Sequence, residues 1–214
     1  MQVSTANGKL EHSLVSRVQR LLSASARSIL GIAGSPGSGK STIAELVSNE
    51  FGDTAVVVPM DGFHLAQEEL VRLGRAERKG APDTFDVNGY TALLSRLRCQ
   101  STHEIVYAPR FRREIEEPVA GAIAVYPNAR LIITEGNYLL FDGAWSAVRP
   151  LLDESWFVST PEEQRDNWLL ARHISFGRSR EEAAAWIKNT DAPNAIAIEA
   201  KRHLATITVE NVSI

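Results

Sequence analysis

The run Gly34-Ser35-Pro36-Gly37-Ser38-Gly39-Lys40-Ser41-Thr42 carries the clearest chemistry in the chain. It fits G-x-x-x-x-G-K-[ST] and lies between the apolar run "SILGIAGS" and a segment with helical periodicity, the strand, loop and helix context that the motif requires. Glycines at this spacing let successive backbone N–H groups turn inward around phosphate oxygens, and the helix that follows adds its dipole. Lys40 is placed to reach β- and γ-phosphates, and the Ser41 hydroxyl to ligate Mg²⁺. The bland alternative is a fortuitous glycine-rich turn. A phosphate loop alone does not choose among kinases, switches, motors and transporter ATPases, so other residues must decide.

Two acids follow apolar runs: Asp61 in "PMDGFH" and Glu135 in "IITEGNYLL". In open α/β sheets the ligand crevice lies at the carboxyl ends of the strands, so both acids are expected beside the phosphate loop. One acid there can take a proton from a hydroxyl acceptor while the other holds water on the metal. Asp61 is assigned as general base and Glu135 to the metal's outer shell, with contact to the acceptor left open for Glu135; the alternative for each is capping a turn. Arg165 and Arg172, seven residues apart, share a helical face, and Arg178 follows in a turn. A guanidinium that arrives as a site closes stabilises charge on a transferring phosphoryl group, and Arg172 and Arg178 are chosen for that role over simple compensation of a helix dipole.

These residues need a frame. Leu10, Leu14, Val18, Leu21 and Leu22 describe an amphipathic helix, and Ile43, Leu46, Val47 and Phe51 a second one after the phosphate loop. "SILGIAGS", "TAVVVPMD", "ARLIITEG", "ESWFVST" and "ATITVE" read as five buried strands separated by helical segments, the pattern of an α/β fold with a parallel sheet. Residues 62–126 exceed one crossover and are expected to form an insertion shaping a substrate site. Thr160 is expected to cap a helix with Pro161 first and Glu163 completing a capping box; Gly177 breaks the run, and Ser179 with Glu182 opens the next helix. Residues 161–190 thus read as a helical lid, with a plain helical hairpin as the alternative.

The 214 residues suit a single domain over 1–214, with 44% apolar and 23% charged residues and a net charge of −3 that gives no general attraction to nucleic acid or anionic membrane. The one cysteine, Cys99, excludes an internal disulfide and a cysteine zinc cluster and fits a cytoplasmic protein. The opening "MQVSTANGKL" lacks a secretory pattern and no apolar run is long enough to span a bilayer, so neither export nor membrane insertion is expected.

"GSPGSGKST", "MDGFH", "KGAPDTFD", "ITEGNYLL" and "RHISFGRSREEAAAW…NTDAPN" together resemble the superfamily of phosphoribulokinase, uridine kinase and bacterial pantothenate kinase, and within it the nucleoside-kinase-like branch named for sugar-transport-associated or fructose kinases. The resemblance spans about residues 25–210. It implies a P-loop NTPase fold of nucleoside-monophosphate-kinase type, ATP with Mg²⁺, and γ-phosphoryl transfer to a hydroxyl of a small metabolite, with Asp61 as base. By the same resemblance, Lys79 and Asp86 line the acceptor pocket or are ordinary loop charges, Arg110 in "YAPRFRR" grips a polar or anionic acceptor, and Asn194 approaches the nucleotide. Arg112 and Arg113 are expected in solvent. His64 either packs under its loop or touches base and acceptor, and Tyr138, Trp168 and Trp186 are expected to pack rather than stack on a base. The chain lacks a phosphoribulokinase-type carboxyl-terminal extension and a clear uridine-kinase aromatic set, so neither substrate transfers.

The expected activity is an ATP-dependent kinase acting on a sugar-, vitamin- or nucleoside-like alcohol, as monomer or homodimer. The competing expectation is a nucleotide-dependent switch without a small acceptor, weakened by the absence of N-K-x-D and L-S-G-G-Q elements.

Overall fold

The computed structural model describes residues 2–4 and 9–211. In chain order, strand β1 (Gln2–Ser4) precedes helix α1 (His12–Ala24), β2 (Ser28–Gly34), α2 (Lys40–Phe51) and β3 (Ala55–Val57). Helices α3 (Gln67–Arg72) and α4 (Val87–Arg98) lead to β4 (Val106–Arg112) and β5 (Glu117–Val125), followed by β6 (Leu131–Gly136) and β7 (Glu154–Ser159). Helices α5 (Glu162–Ser175), α6 (Arg180–Trp186) and α7 (Ala192–Glu199) precede the last strand, β8 (Ile207–Glu210).

The main sheet runs β1-β8-β7-β2-β6-β3, and every pairing is parallel. All five expected strands are present, and Gln2–Ser4 adds a sixth on the β8 edge. Along β2 alternate side chains enter opposite layers: Ile29 and Ala33 join the layer with Met60, Tyr90 and Phe157, while Leu30 and Ile32 join Leu14, Val18, Ile43 and Val47. The expected helical faces of α1 and α2 are thereby used. β3 departs from expectation, because as the sheet's edge it is only partly buried.

The segment 62–126 holds α3, α4 and the antiparallel hairpin β4–β5, whose register shifts between Ala108 and Arg110 around Pro109. A proline has no N–H to give the ladder, so a bulge there is its natural place. The hairpin rests on the 3₁₀ turn Met60–Phe63: a Cβ on Gly62 would stand 2.4 Å from the Pro109 carbonyl oxygen. Glycine after Asp61 is therefore a packing requirement for bringing the hairpin against that acid.

The α5 start differs from the expected capping box. Pro161 occupies the cap position without a side-chain bond, and the Thr160 hydroxyl instead donates to the Ser38 carbonyl at 2.8 Å. The second capping box is present, with Ser179 and Glu182 bonded reciprocally. Gly177 takes φ +95° in the intervening turn. A π-helical turn, Ile187–Asp191, separates α6 from α7. Among the described residues no helix is long and apolar enough to cross a membrane.

Candidate functional site

The sheet order puts β2 between β7 and β6, so the phosphate loop leaving β2 stands beside the ends of both neighbours. Gly37 and Gly39 adopt φ +76° and +87°, which side chains other than glycine rarely take. At Gly37 space forbids one as well, since a Cβ would lie 2.6 Å from Leu169 Cγ and 3.0 Å from the Arg165 carbonyl oxygen of α5. The Ser38 carbonyl also accepts from Asn211 Nδ2 at 3.0 Å, and the Ser35 hydroxyl donates to Glu199 Oε1 at 2.9 Å. The loop is thus held from α5, α7 and the end of β8.

Two features of the loop fit a polyphosphate. The Ser38 hydroxyl is buried and, among the described residues, has no hydrogen-bond partner. Lys40 is buried, donates among the described residues to the Ser35 carbonyl at 2.9 Å, and has its pKa pulled down to about 8 by burial, against the opposing pull of Glu135 and Asp61. A buried ammonium whose hydrogen-bond partner among the described residues is a neutral carbonyl suits a phosphate oxygen. The Ser41 hydroxyl donates to Glu135 Oε1 at 3.1 Å. Burial first, and then the Asp61 charge, push the Glu135 carboxyl above the usual carboxylate range. Among the described residues no cluster of three or more metal-ligating side chains occurs, so a divalent cation beside Ser41 and Glu135 would need phosphate oxygens and water for the rest of its shell. The oxygen-only donors there suit Mg²⁺.

Asp61, in the turn after β3, meets Arg113 of the hairpin end at 3.5 Å. Arg113 is exposed, as expected, yet it is not idle: its guanidinium also stands 6.0 Å from the Phe111 ring and 5.9 Å from that of Phe176, within cation–π range. His64 packs between Phe85 and Phe111 and takes its Nδ1 to within 2.8 Å of the Asp61 carbonyl. Burial lowers its pKa and favours the neutral ring.

A cavity of about 410 Å³ extends from the phosphate loop at Pro36 past Asp61 and His64 to the helices after β7. Lys79, Arg172, Arg178 and Asn194 all line it. Lys79 donates to the Glu116 carbonyl and approaches Phe111 at 5.6 Å. Burial, with Arg113 nearby, draws the Arg172 pKa down. Arg178 lies 3.9 Å from the Trp186 ring centroid, so Trp186 borders the cavity in addition to packing the helices. A second cavity of about 520 Å³ shares Asp61, Phe111 and Arg113 and runs along α2 past Glu45 and Ser48.

Other expected residues fall elsewhere. Asp86 caps α4, accepting from the Gly89 amide at 2.8 Å, and borders a separate depression beside Trp145. Arg110 lines the second cavity rather than the first, because the bulge at Pro109 turns it away. Arg165 is buried with Asp166 at 3.2 Å, under the phosphate loop. Tyr138 is a packing residue whose hydroxyl donates to the Gly80 carbonyl at 2.6 Å. Thr42 is exposed in the first turn of α2, and Trp168 stands beside Gly39. Residues not singled out from sequence include Phe111, Asn137, His173, Phe176 and Asp191, which line the first cavity. Asn137 alone had a local signal, two positions after Glu135.

Over residues 29–212 the chain matches the Phosphoribulokinase / Uridine kinase family. A provisionally named uridine kinase of Schizosaccharomyces pombe is 36% identical over 201 residues, covering 89% of this chain and 85% of that protein. A pantothenate kinase of Mycolicibacterium vanbaalenii is 30% identical over 152 residues, which is 69% of this chain but 48% of that longer protein. Among solved structures, a provisionally named fructose transport system kinase from Silicibacter sp. TM1040 superposes with a TM-score of 0.82 at 37% identity, covering 92% of this chain and 99% of that one.

Proposed function

The chain belongs to the phosphoribulokinase/uridine kinase family of small-molecule kinases, and on that premise we propose that it transfers the γ-phosphoryl group of Mg–ATP to a hydroxyl of a sugar-, vitamin- or nucleoside-like metabolite, with Asp61 as general base. The observation that carries this reading is the cavity of about 410 Å³ joining the phosphate loop to Asp61. A pocket of that size beside the loop suits a metabolite and supports a kinase over a nucleotide switch.

The phosphate loop, Gly34 to Thr42, holds the triphosphate by its amides, and Lys40 neutralises the oxygens between β- and γ-phosphates. Ser41 would hold Mg²⁺, with Glu135 in its outer shell, and the ion would supply charge neutralisation. Asp61 accepts the acceptor's proton as the hydroxyl oxygen attacks phosphorus in line and the bond to the β-phosphate bridging oxygen breaks. Arg172 and Arg178 stabilise the charge on the transferring group. Lys79 and His64 contact the acceptor, Asn194 lies toward the nucleotide, and Arg113 occupies Asp61 until the acceptor arrives. The segment 62–126 shapes the acceptor site and 161–190 forms the lid of one domain, in a cytoplasmic protein whose single Cys99 is exposed.

The test is Asp61→Asn, assayed against sugars, vitamins and nucleosides with Mg–ATP. Turnover of the acceptor should fall by about 10²–10⁴-fold with ATP affinity retained. Near-normal turnover would remove Asp61 as the base, and no phosphorylated acceptor across a broad screen would favour the switch.

A further inference from the structure

Behind Arg178 lies a polar chain that the transfer step leaves unused. Arg178 Nη1 is 3.3 Å from His173 Nδ1, and His173 Nε2 is 2.8 Å from Asp191 Oδ2. Arginine carries N–H donors and no acceptor, so Nδ1 must present its lone pair to Arg178. The ring's single proton then sits on Nε2 and is donated to the Asp191 carboxylate. Asp191 is itself buried, and it reaches α5 from the π-helical turn, an irregularity frequent at functional sites. On its other side the Arg178 guanidinium rests on Trp186. Among the described residues, the charged and titratable groups lining the same cavity as His173 are Asp191 from the π-helical turn, Arg178 from the turn after α5 and Arg172 preceding it on α5, with Asp61, His64, Lys79, Arg113 and Glu116 from the segment after β3 and the hairpin.

We propose that His173 is a positioning residue for Arg178: as the neutral Nε2–H tautomer it holds the guanidinium against Trp186 at the cavity wall, and protonation of Nδ1 releases it. The added proton, taken from solvent, occupies the lone pair that Arg178 uses and sets one cation against another, while Asp191 retains the imidazolium. Arg178 then leaves its place, and phosphoryl transfer slows in acid. The contact stands on geometry alone; its effect on transfer rests on the kinase reading.

Two measurements test it. Long-range ¹H–¹⁵N spectra of the uniformly labelled protein read each histidine tautomer directly, with His173 assigned by its loss in His173→Gln. At about pH 7.5, Nδ1 should be unprotonated and Nε2 protonated, and Arg178→Met should shift the Nδ1 resonance. Mg–ATP turnover, with water as the acceptor if none is known, is then followed from about pH 8 to about pH 5.5. Glutamine can accept from Arg178 and donate to Asp191 without titrating, so His173→Gln should keep the neutral-pH rate and flatten the acid limb. His173→Leu offers neither bond and should lower kcat by about tenfold with KM for ATP near the wild-type value. An Nδ1–H tautomer, or a His173→Gln acid limb identical to that of the wild type, would overturn the proposal. Loss of all ATP turnover in the wild type would strike the kinase reading, and the tautomer would still decide the contact.

Discussion

Lys40 and Glu135 show how burial gives ordinary side chains a working pH range. In the ligand-free protein the Lys40 ammonium is held at a pKa of about 8, chiefly by loss of water. A depressed lysine pKa means that the charged form is lost as pH rises through that value, and the charged form is what a triphosphate needs. Mg–ATP affinity should therefore be about tenfold weaker at pH 9 than at pH 7, measured by titration calorimetry. An affinity flat across that range would show that Lys40 stays charged. The same scale holds the main surprise of the site: in "RFRR" nothing distinguishes Arg113 from Arg110 or Arg112, yet only Arg113 is paired with Asp61.

Elements fix which of several similar residues reach the cavity. A helix needs a cap, and "DTFDVNG" supplies one in Asp86, which removes that carboxylate from the acceptor site. Asp86→Ala should cost about 1 kcal/mol, a fall of roughly 2–4 °C in Tm, and leave turnover unchanged. A large loss of turnover in the folded variant would return Asp86 to the site. The phosphate loop and α5 are coupled through Gly37, where a methyl group meets both strain and the α5 backbone. Gly37→Ala should weaken ATP binding by more than about tenfold and lower Tm by several degrees, since left-handed strain alone is worth roughly 1–2 kcal/mol. Gly74→Ala is the matched control, with φ +66° and open space around the added carbon, and it should leave ATP affinity intact.

For the whole molecule the question is how distant segments are held around one ligand. The phosphate loop is bonded to Thr160, Glu199 and Asn211, so triphosphate binding ties the carboxyl-terminal third of the chain to β2. Mg–ATP at about a hundred times its Kd should stabilise the native state by about 2.7 kcal/mol, raising Tm by roughly 5–10 °C. Hydrogen exchange in 161–190 should slow at the same time. A shift in Tm without added protection there would argue against a lid.

Local pattern along the chain is enough to give the phosphate loop, the parallel strands and two acids, Glu135 within the last residues of β6 and Asp61 just beyond β3. The signals are glycines at fixed spacing, apolar runs of strand length, and an acid at or shortly after the carboxyl end of the run. The family resemblance was likewise legible, because its motifs are short and contiguous. Tertiary structure alone decided the cavity wall. Arg113, His173 and Asp191 come from a hairpin end, a helix and a π-helical turn, and no periodicity in the chain announces that they meet. Side-chain partnership is set by packing across the sheet edge. The capping of α4 by Asp86, the turn of Arg110 at the Pro109 bulge and the diversion of Thr160 to the phosphate loop follow from that packing, where a long-range contact outweighs the local signal.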